Sequence, residues 1–235
     1  MAITFGAENH NAKGASDTNP VTITVNVPAG MTNAHAEMFM HLIGAPTQTV
    51  STCTWDGANM TFRSRNTSVN DNFITVEHWY LSLGNSPASG NRDVVVTPSA
   101  ACRMIGYAVI RNGVHQSTQF SGSDVFNEGT DAAPTNSIAS SSGELVVDGA
   151  CSSGTRTFTD TGGQSVRTNY TPSDTVVGSD EAGGGTTVIS WSIDSADVWV
   201  SVIWRLNPAP SGVLLDAWHP PIERQHLQKS EIIAY

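Results

Sequence analysis

Three carboxylates sit in or beside apolar stretches: Glu77 within "TVEHWY", and Glu144 and Asp148 around "LVV". Glycoside hydrolysis needs two carboxyl groups facing each other across the scissile bond, so Glu77 with Glu144 or Asp148 is the pairing to test. On the strands of a sandwich such residues usually point to solvent, so no catalytic residue and no enzymatic activity are expected. The serine-hydrolase, zinc-peptidase and phosphate-loop patterns are missing, and the Gly run in "EAGGGTT" has neither the lysine nor the following helix of a phosphate loop. Of the seven histidines, His35 and His41 share a strand face about 20 Å apart, too far to hold one metal ion. Asp174, Asp180 and Glu181, in a Gly-rich segment read as a flexible loop, offer the oxygen ligands that calcium favours but no fixed spacing. Cys53, Cys102 and Cys151 match no zinc spacing and read as free, mostly buried thiols; their even spacing is not accompanied by aligned flanks. No cofactor or metal is expected.

The elements that must position these residues are strands. "VTITVNVPAG" alternates cleanly, with Val21, Ile23, Val25 and Val27 on one face. "AHAEMFMHLIG" reads as a core strand, "FITVEHWYLSLG" and "CRMIGYAVIRNG" as long strands, "RDVVVTPS" and "GELVVDG" as short ones. Asp56-Gly57 is a preferred pair for a two-residue hairpin turn. Residues 116–142 read as irregular, and 152–185 as irregular apart from a strand at "QSVRTNYT". "TTVISWSI" and "ADVWVSVIWRL" read as a closing hairpin; the first and last strands are expected to lie together in one sheet. In the last strand Val198, Val200, Val202, Trp204 and Leu206 share one face, and Trp199 lies on the other. Exposed, Trp199 would be a contact for a sugar or a neighbouring subunit; covered by a loop, it would carry no function.

About ten strands and no helix predict an all-β fold: a two-layer antiparallel β-sandwich, jelly-roll-like, over residues 1–206. Residues 207–235 form a C-terminal arm, set off by Pro208 and Pro210. Its apolar residues Val213, Leu214, Leu215, Trp218, Ile232, Ile233 and Tyr235 are candidate contacts for a partner chain, by adding a strand to a neighbour's edge; the alternative is that the arm folds back over an edge of its own domain.

Charged residues are 14% of the 235, against about 25% in an average globular chain. The net charge is −10 and no basic cluster exists, so nucleic acid and anionic lipid are not expected partners. No apolar run approaches a membrane span, and the start "MAITFGAENHNAKG" lacks the charged and apolar regions of a secretory signal; synthesis in a cytoplasm is the expectation.

The succession "VTITVNVPAG", "TWDGANMT", "WYL…SG…VVVTPS", "GYAVIRNGV", "GELVVDG" and "VWVSVIWRL" over residues 18–206 resembles β-sandwich domains, jelly-roll or lectin-like, of tailed-bacteriophage virion proteins and bacterial surface proteins. The resemblance lies in strands and turns, and the arm is outside it. It implies a structural or adhesive role: a capsid decoration or fibre component in a virion, partnered by other virion proteins or copies of itself. Carbohydrate binding, or an extracellular adhesin touching host glycans, is the alternative.

Overall fold

The structure, a computed structural model, describes residues 1–44, 48–68, 70 and 74–210. Among the described residues there is no helix; the chain forms antiparallel strands throughout. The first nine are β1 (Thr4–Asp17), β2 (Val21–Val27), β3 (Ala34–Ile43), β4 (Val50–Trp55), β5 (Ala58–Asn59), β6 (Thr61–Thr67), β7 (Ile74–Gly84), β8 (Gly90–Pro98) and β9 (Cys102–Asn112). The remainder are β10 (Val125–Gly129), β11 (Thr135–Ser140), β12 (Leu145–Ser152), β13 (Phe158–Asp160), β14 (Ser165–Tyr170), β15 (Thr175–Ala182), β16 (Gly185–Ile193) and β17 (Trp199–Leu206).

The antiparallel sandwich read from the sequence is present, and it is present twice. Strands β1-β9-β3-β7-β6 face β2-β8-β4-β5, and β10-β17-β12-β15-β14 face β11-β16-β13, so each half of the chain builds its own pair of sheets. Three apolar cores separate four layers. Val21, Ile23 and Val25 of β2 meet Met38 and Met40 of β3 in the first. Phe39, Tyr107 and Val109 meet Val147, Val202 and Trp204 in the second, where the two five-stranded sheets stack. Ile189 and Trp191 of β16 meet Val146, Val177 and Ile203 in the third. The expected two layers are therefore four. The reason is that strands of the two central sheets are buried on both faces, as β3 is along its whole length; a sheet apolar on both faces needs a partner on each.

Several local expectations change with this. The first and last of the strands read from the sequence, β2 and β17, lie in different sheets. β16 and β17 form no hairpin: β16 pairs with β11 and β13, β17 with β10 and β12. The turn after Ile193 instead carries the chain from an outer to an inner sheet. Residues 4–17, unassigned in the sequence, are a 14-residue edge strand on β9. The segments read as irregular contain β10, β11, β13 and β15.

The Asp56-Gly57 turn is as expected: both residues have positive φ, 48° and 83°, and Trp55 pairs with Ala58. After β17 the chain does not leave at once. Asn207 N–H donates to Gln119 O at 2.7 Å, and Ala209 N–H to Gly113 O at 2.7 Å. The Met1 ammonium donates to Ala209 O at 3.0 Å. Val213, Leu214, Leu215, Trp218, Ile232, Ile233 and Tyr235, the contacts expected of the arm, lie outside the described residues.

Candidate functional site

The densest concentration of chemistry lies where the two halves meet. β3 projects Glu37 into the second core and β9 projects Arg111 beside it; both are 1% exposed. Arg111 Nε donates to Glu37 Oε2 at 2.9 Å, and its Nη1 donates to Asp180 Oδ2, on β15 of the other half, at 2.5 Å. Arg167 of β14 closes on the same carboxylate with both Nε and Nη2, at 2.8 and 2.7 Å. On its other oxygen Glu37 accepts Trp204 Nε1 at 2.5 Å and lies 3.5 Å from His78 Nε2. His78 Nδ1 is 3.2 Å from Asp124 Oδ2, which also accepts the Ser64 hydroxyl. Arg63 Nε donates to Asp124 Oδ1 at 3.0 Å. One continuous ionic chain thus runs from Arg63 to Arg167: three carboxylates, three guanidinium groups and an imidazole.

A charge in this setting survives only if paired, and the titration of each group reports its partners. Burial pushes Glu37 toward the neutral acid, but His78 and Arg111 outweigh it and hold the carboxyl at about 2. Burial disfavours the His78 cation, yet Asp124 and Glu37 more than compensate and raise its pKa. Asp124 is lowered, against burial, mainly by His78. His78 is therefore biased toward its cationic form, between two carboxylates and stacked 4.1 Å from the Trp204 ring. Two other buried histidines are held more loosely, His35 Nε2 lying 4.0 Å from the same Glu37 oxygen. Neither ring nitrogen of His35 or of His41 is hydrogen-bonded, and burial depresses them to about 4 and about 3.

At its Arg63 end the chain reaches an open recess of about 300 Å³ lined by Arg63, Ser64, Ser123, Asp124 and Phe126. The Arg63 guanidinium lies 4.1 Å above the Phe120 ring. Ser64 donates its hydroxyl to Asp124, a carboxylate also held by Arg63 and His78 and lowered below its usual range. A second recess, about 430 Å³ and mostly apolar, is lined by Met1, Ala2, Ile3, Leu145 and Pro208, next to the last described residues. Among the described residues, no group of three or more His, Cys, Asp or Glu could hold a metal ion.

Of the residues singled out in the sequence, Asp180 lies in this ionic chain; the others fall elsewhere, and not together. Glu77 is 1% exposed rather than solvent-facing: it accepts Val50 N–H, Arg65 Nε and Trp79 Nε1. Asp148 is equally buried and holds Ser179 and Trp191, with burial raising its pKa to about 6 despite those bonds. Glu144 caps a tight turn by accepting Ser141 N–H. Glu77 points among the residues of the first core and Asp148 among those of the third, so the two do not face each other. Asp174 pairs with Arg103 and Asp180 with two arginines, while the supposed flexible loop is strand β15. Trp199 is 2% exposed, covers Gly129 and donates Nε1 to Asp131 at 3.1 Å; a neighbouring segment covers it, so it offers no stacking face. The three cysteines are free and buried, and burial lifts the Cys53 thiol to about 12.

Sequence reasoning missed Glu37, Arg111 and Asp124. Two of them had a signal: a glutamate inside "AHAEMFMHLI" and an arginine inside "GYAVIRNG" are opposite charges in strands too apolar to be exposed. Compared with protein-family models and with curated proteins, the chain matches none.

Proposed function

We propose that this chain is a non-enzymatic structural subunit of a virion, a bacteriophage capsid decoration, cement or fibre component whose partners are copies of itself or other virion proteins. The observation that carries the reading is the use to which its buried charges are put: they join two sandwiches into one body, the work of a scaffold. Counting β5 and β6 as one strand, the sheets run 1-8-3-6-5 and 2-7-4 in each half, the fifth strand also reaching the second sheet in the first half; we read this order as jelly-roll-like, in keeping with the resemblance. The acidic charge and lack of a basic cluster accord with protein partners rather than nucleic acid. The arm would supply the lattice contact. Antibody raised against residues 1–210 should label particles in micrographs of a culture making the protein. Label confined to the particle-free fraction would end the virion reading.

The alternative, a carbohydrate-binding module or adhesin, draws on the recess at Arg63, where hydroxyl, guanidinium and aromatic groups converge around Phe126. A glycan array with the purified chain tests it; retention of one glycan class, lost on Phe126→Ala, would favour it.

A further inference from the structure

The two halves share more than a general architecture. The order β1-β9-β3-β7-β6 is repeated by β10-β17-β12-β15-β14, and β2-β8-β4 by β11-β16-β13. The ladders then match rung by rung. Phe5 lies opposite Arg111 and Phe120 opposite Leu206; Asn11 opposite Gly106 and Asn127 opposite Ser201; Phe39 opposite Tyr107 and Gly149 opposite Val202. One shift along the chain brings Gly106, Tyr107 and Arg111 of β9 onto Ser201, Val202 and Leu206 of β17, so each of these rungs has a counterpart.

Identical side chains recur at matched positions with identical tasks. Asn11 Nδ2 donates to Thr22 O at 2.7 Å, tying the edge of the inner sheet to the outer one; Asn127 Nδ2 donates to Thr135 O at 2.6 Å in the other half. β6 is bulged between Phe62 and Ser64 and β14 between Val166 and Thr168, and the extra residue is an arginine each time. Arg63 lies 4.1 Å over Phe120 of the second half, and Arg167 lies 4.6 Å over Phe5 of the first. The clasps are exchanged: each half gives an arginine and receives one on its first phenylalanine. Phe39 and Gly149 are counterparts, and the Phe39 ring packs against Gly149, as counterparts on a two-fold axis would.

We infer that the chain is an internal duplication, a fused pair of one eight-stranded unit, and that the inner face of each half is a self-complementary surface whose partner is a second copy of the same unit. A bulge, a cation over an aromatic ring and an inter-sheet amide bond are independent features. Their coincidence at matched rungs follows directly from copying, whereas a shared topology alone does not require it. Cation–aromatic pairs of this kind are directional enough to set the register of such a face.

Two measurements on the full chain test this. Double-mutant cycles, Arg63→Ala with Phe120→Ala and Arg167→Ala with Phe5→Ala, should each lower Tm by less than the sum of the single losses, by a similar margin in both clasps. A protease site inserted between the exposed Ser117 and Thr118 should allow cleavage into two pieces that still elute as one body and part only in denaturant. Coupling confined to one clasp, or pieces that separate or aggregate without denaturant, would overturn the inference.

Discussion

Gly149 and Gly178 show how closely the halves approach. A β-carbon on Gly149 would lie 2.6 Å from Phe39 Cδ2, and one on Gly178 would lie 2.5 Å from Tyr107 Cζ. The Tyr107 hydroxyl continues past to donate to Asp148 O at 2.8 Å, which fixes the ring. Gly149→Ala should therefore cost about 1–3 kcal/mol by overpacking, read from a denaturant melt, and Phe39→Leu in the same chain should recover part of the loss; an unaffected midpoint would refute the close contact. Glu37→Gln leaves His78 and Arg111 short of a buried countercharge and should cost roughly 3–5 kcal/mol. His41 is the opposite case: with no partner for either ring nitrogen, His41→Leu removes an unsatisfied group and should leave Tm unchanged or raise it.

Strand β15 explains why parts of the chain resist reading as elements. "TVVGSDEA" has the composition of a turn, yet it lies between β12 and β14 and six of its eight residues are buried. Gly178 is there to admit Tyr107, and Asp180 to meet Arg111 and Arg167, so its polar residues answer to the other half of the molecule. β11 is similar: in "TNSIAS" only Asn136 and Ile138 are buried, too few to mark a period of two. The hairpin of β4 and β5 is the contrary example, because its turn chemistry is local. Gly57 at φ 83° needs no tertiary contact to be a glycine, and Gly57→Val should lower stability by about 1–3 kcal/mol. An unshifted thermal midpoint would count against that turn.

Taken as one body, the protein should be most stable close to neutral pH. His35 and His41 stay neutral when folded, at about 4 and about 3, while the unfolded chain protonates them near 6.5. Their contribution is complete above about 6.5 and is lost as pH falls through the folded values, on the order of 3 kcal/mol for His35 and 5 kcal/mol for His41. Glu37, held at about 2, adds a further loss at the acid end. Asp148, raised to about 6, has the opposite sign: its folded state is favoured by acid, and stability falls as pH rises from about 4 to 6. His78, raised above its ordinary value, contributes fully below about 6.5 and loses that contribution as pH climbs through its folded pKa. Thermal midpoints measured from pH 4 to 9 should fall on both sides of neutrality, and His78→Gln should flatten the alkaline limb and, by freeing Glu37 and Asp124 of their cation, also reduce their share of the acid limb. Because Pro208 and Ala209 are bound to residues 113–114, the deletion that isolates the arm is 211–235. The shortened chain should melt as the full one does but fail to assemble; an earlier melt, or normal assembly, would remove the arm from the lattice reading.

By itself the sequence determined what depends on neighbours along the chain. The alternation of Val21 to Val27, the Asp56-Gly57 turn and the long apolar runs of β3, β7, β9 and β17 specify an all-β antiparallel molecule, because period and turn conformation are local properties. Tertiary structure alone decided the number of layers, the partners of β16 and β17, and the site. A strand apolar on both faces does not say whether its second face meets a loop, a neighbour or a second sandwich; for Trp199 and Trp204, on opposite faces of β17, only packing gave the answer. The ionic chain from Arg63 to Arg167 joins residues over a hundred positions apart, and the likeness of the halves is carried by ladder register and by a few matched side chains. Neither leaves a mark on composition or spacing, since stacking two sheets constrains shape and charge across the seam and leaves the residues between free to vary.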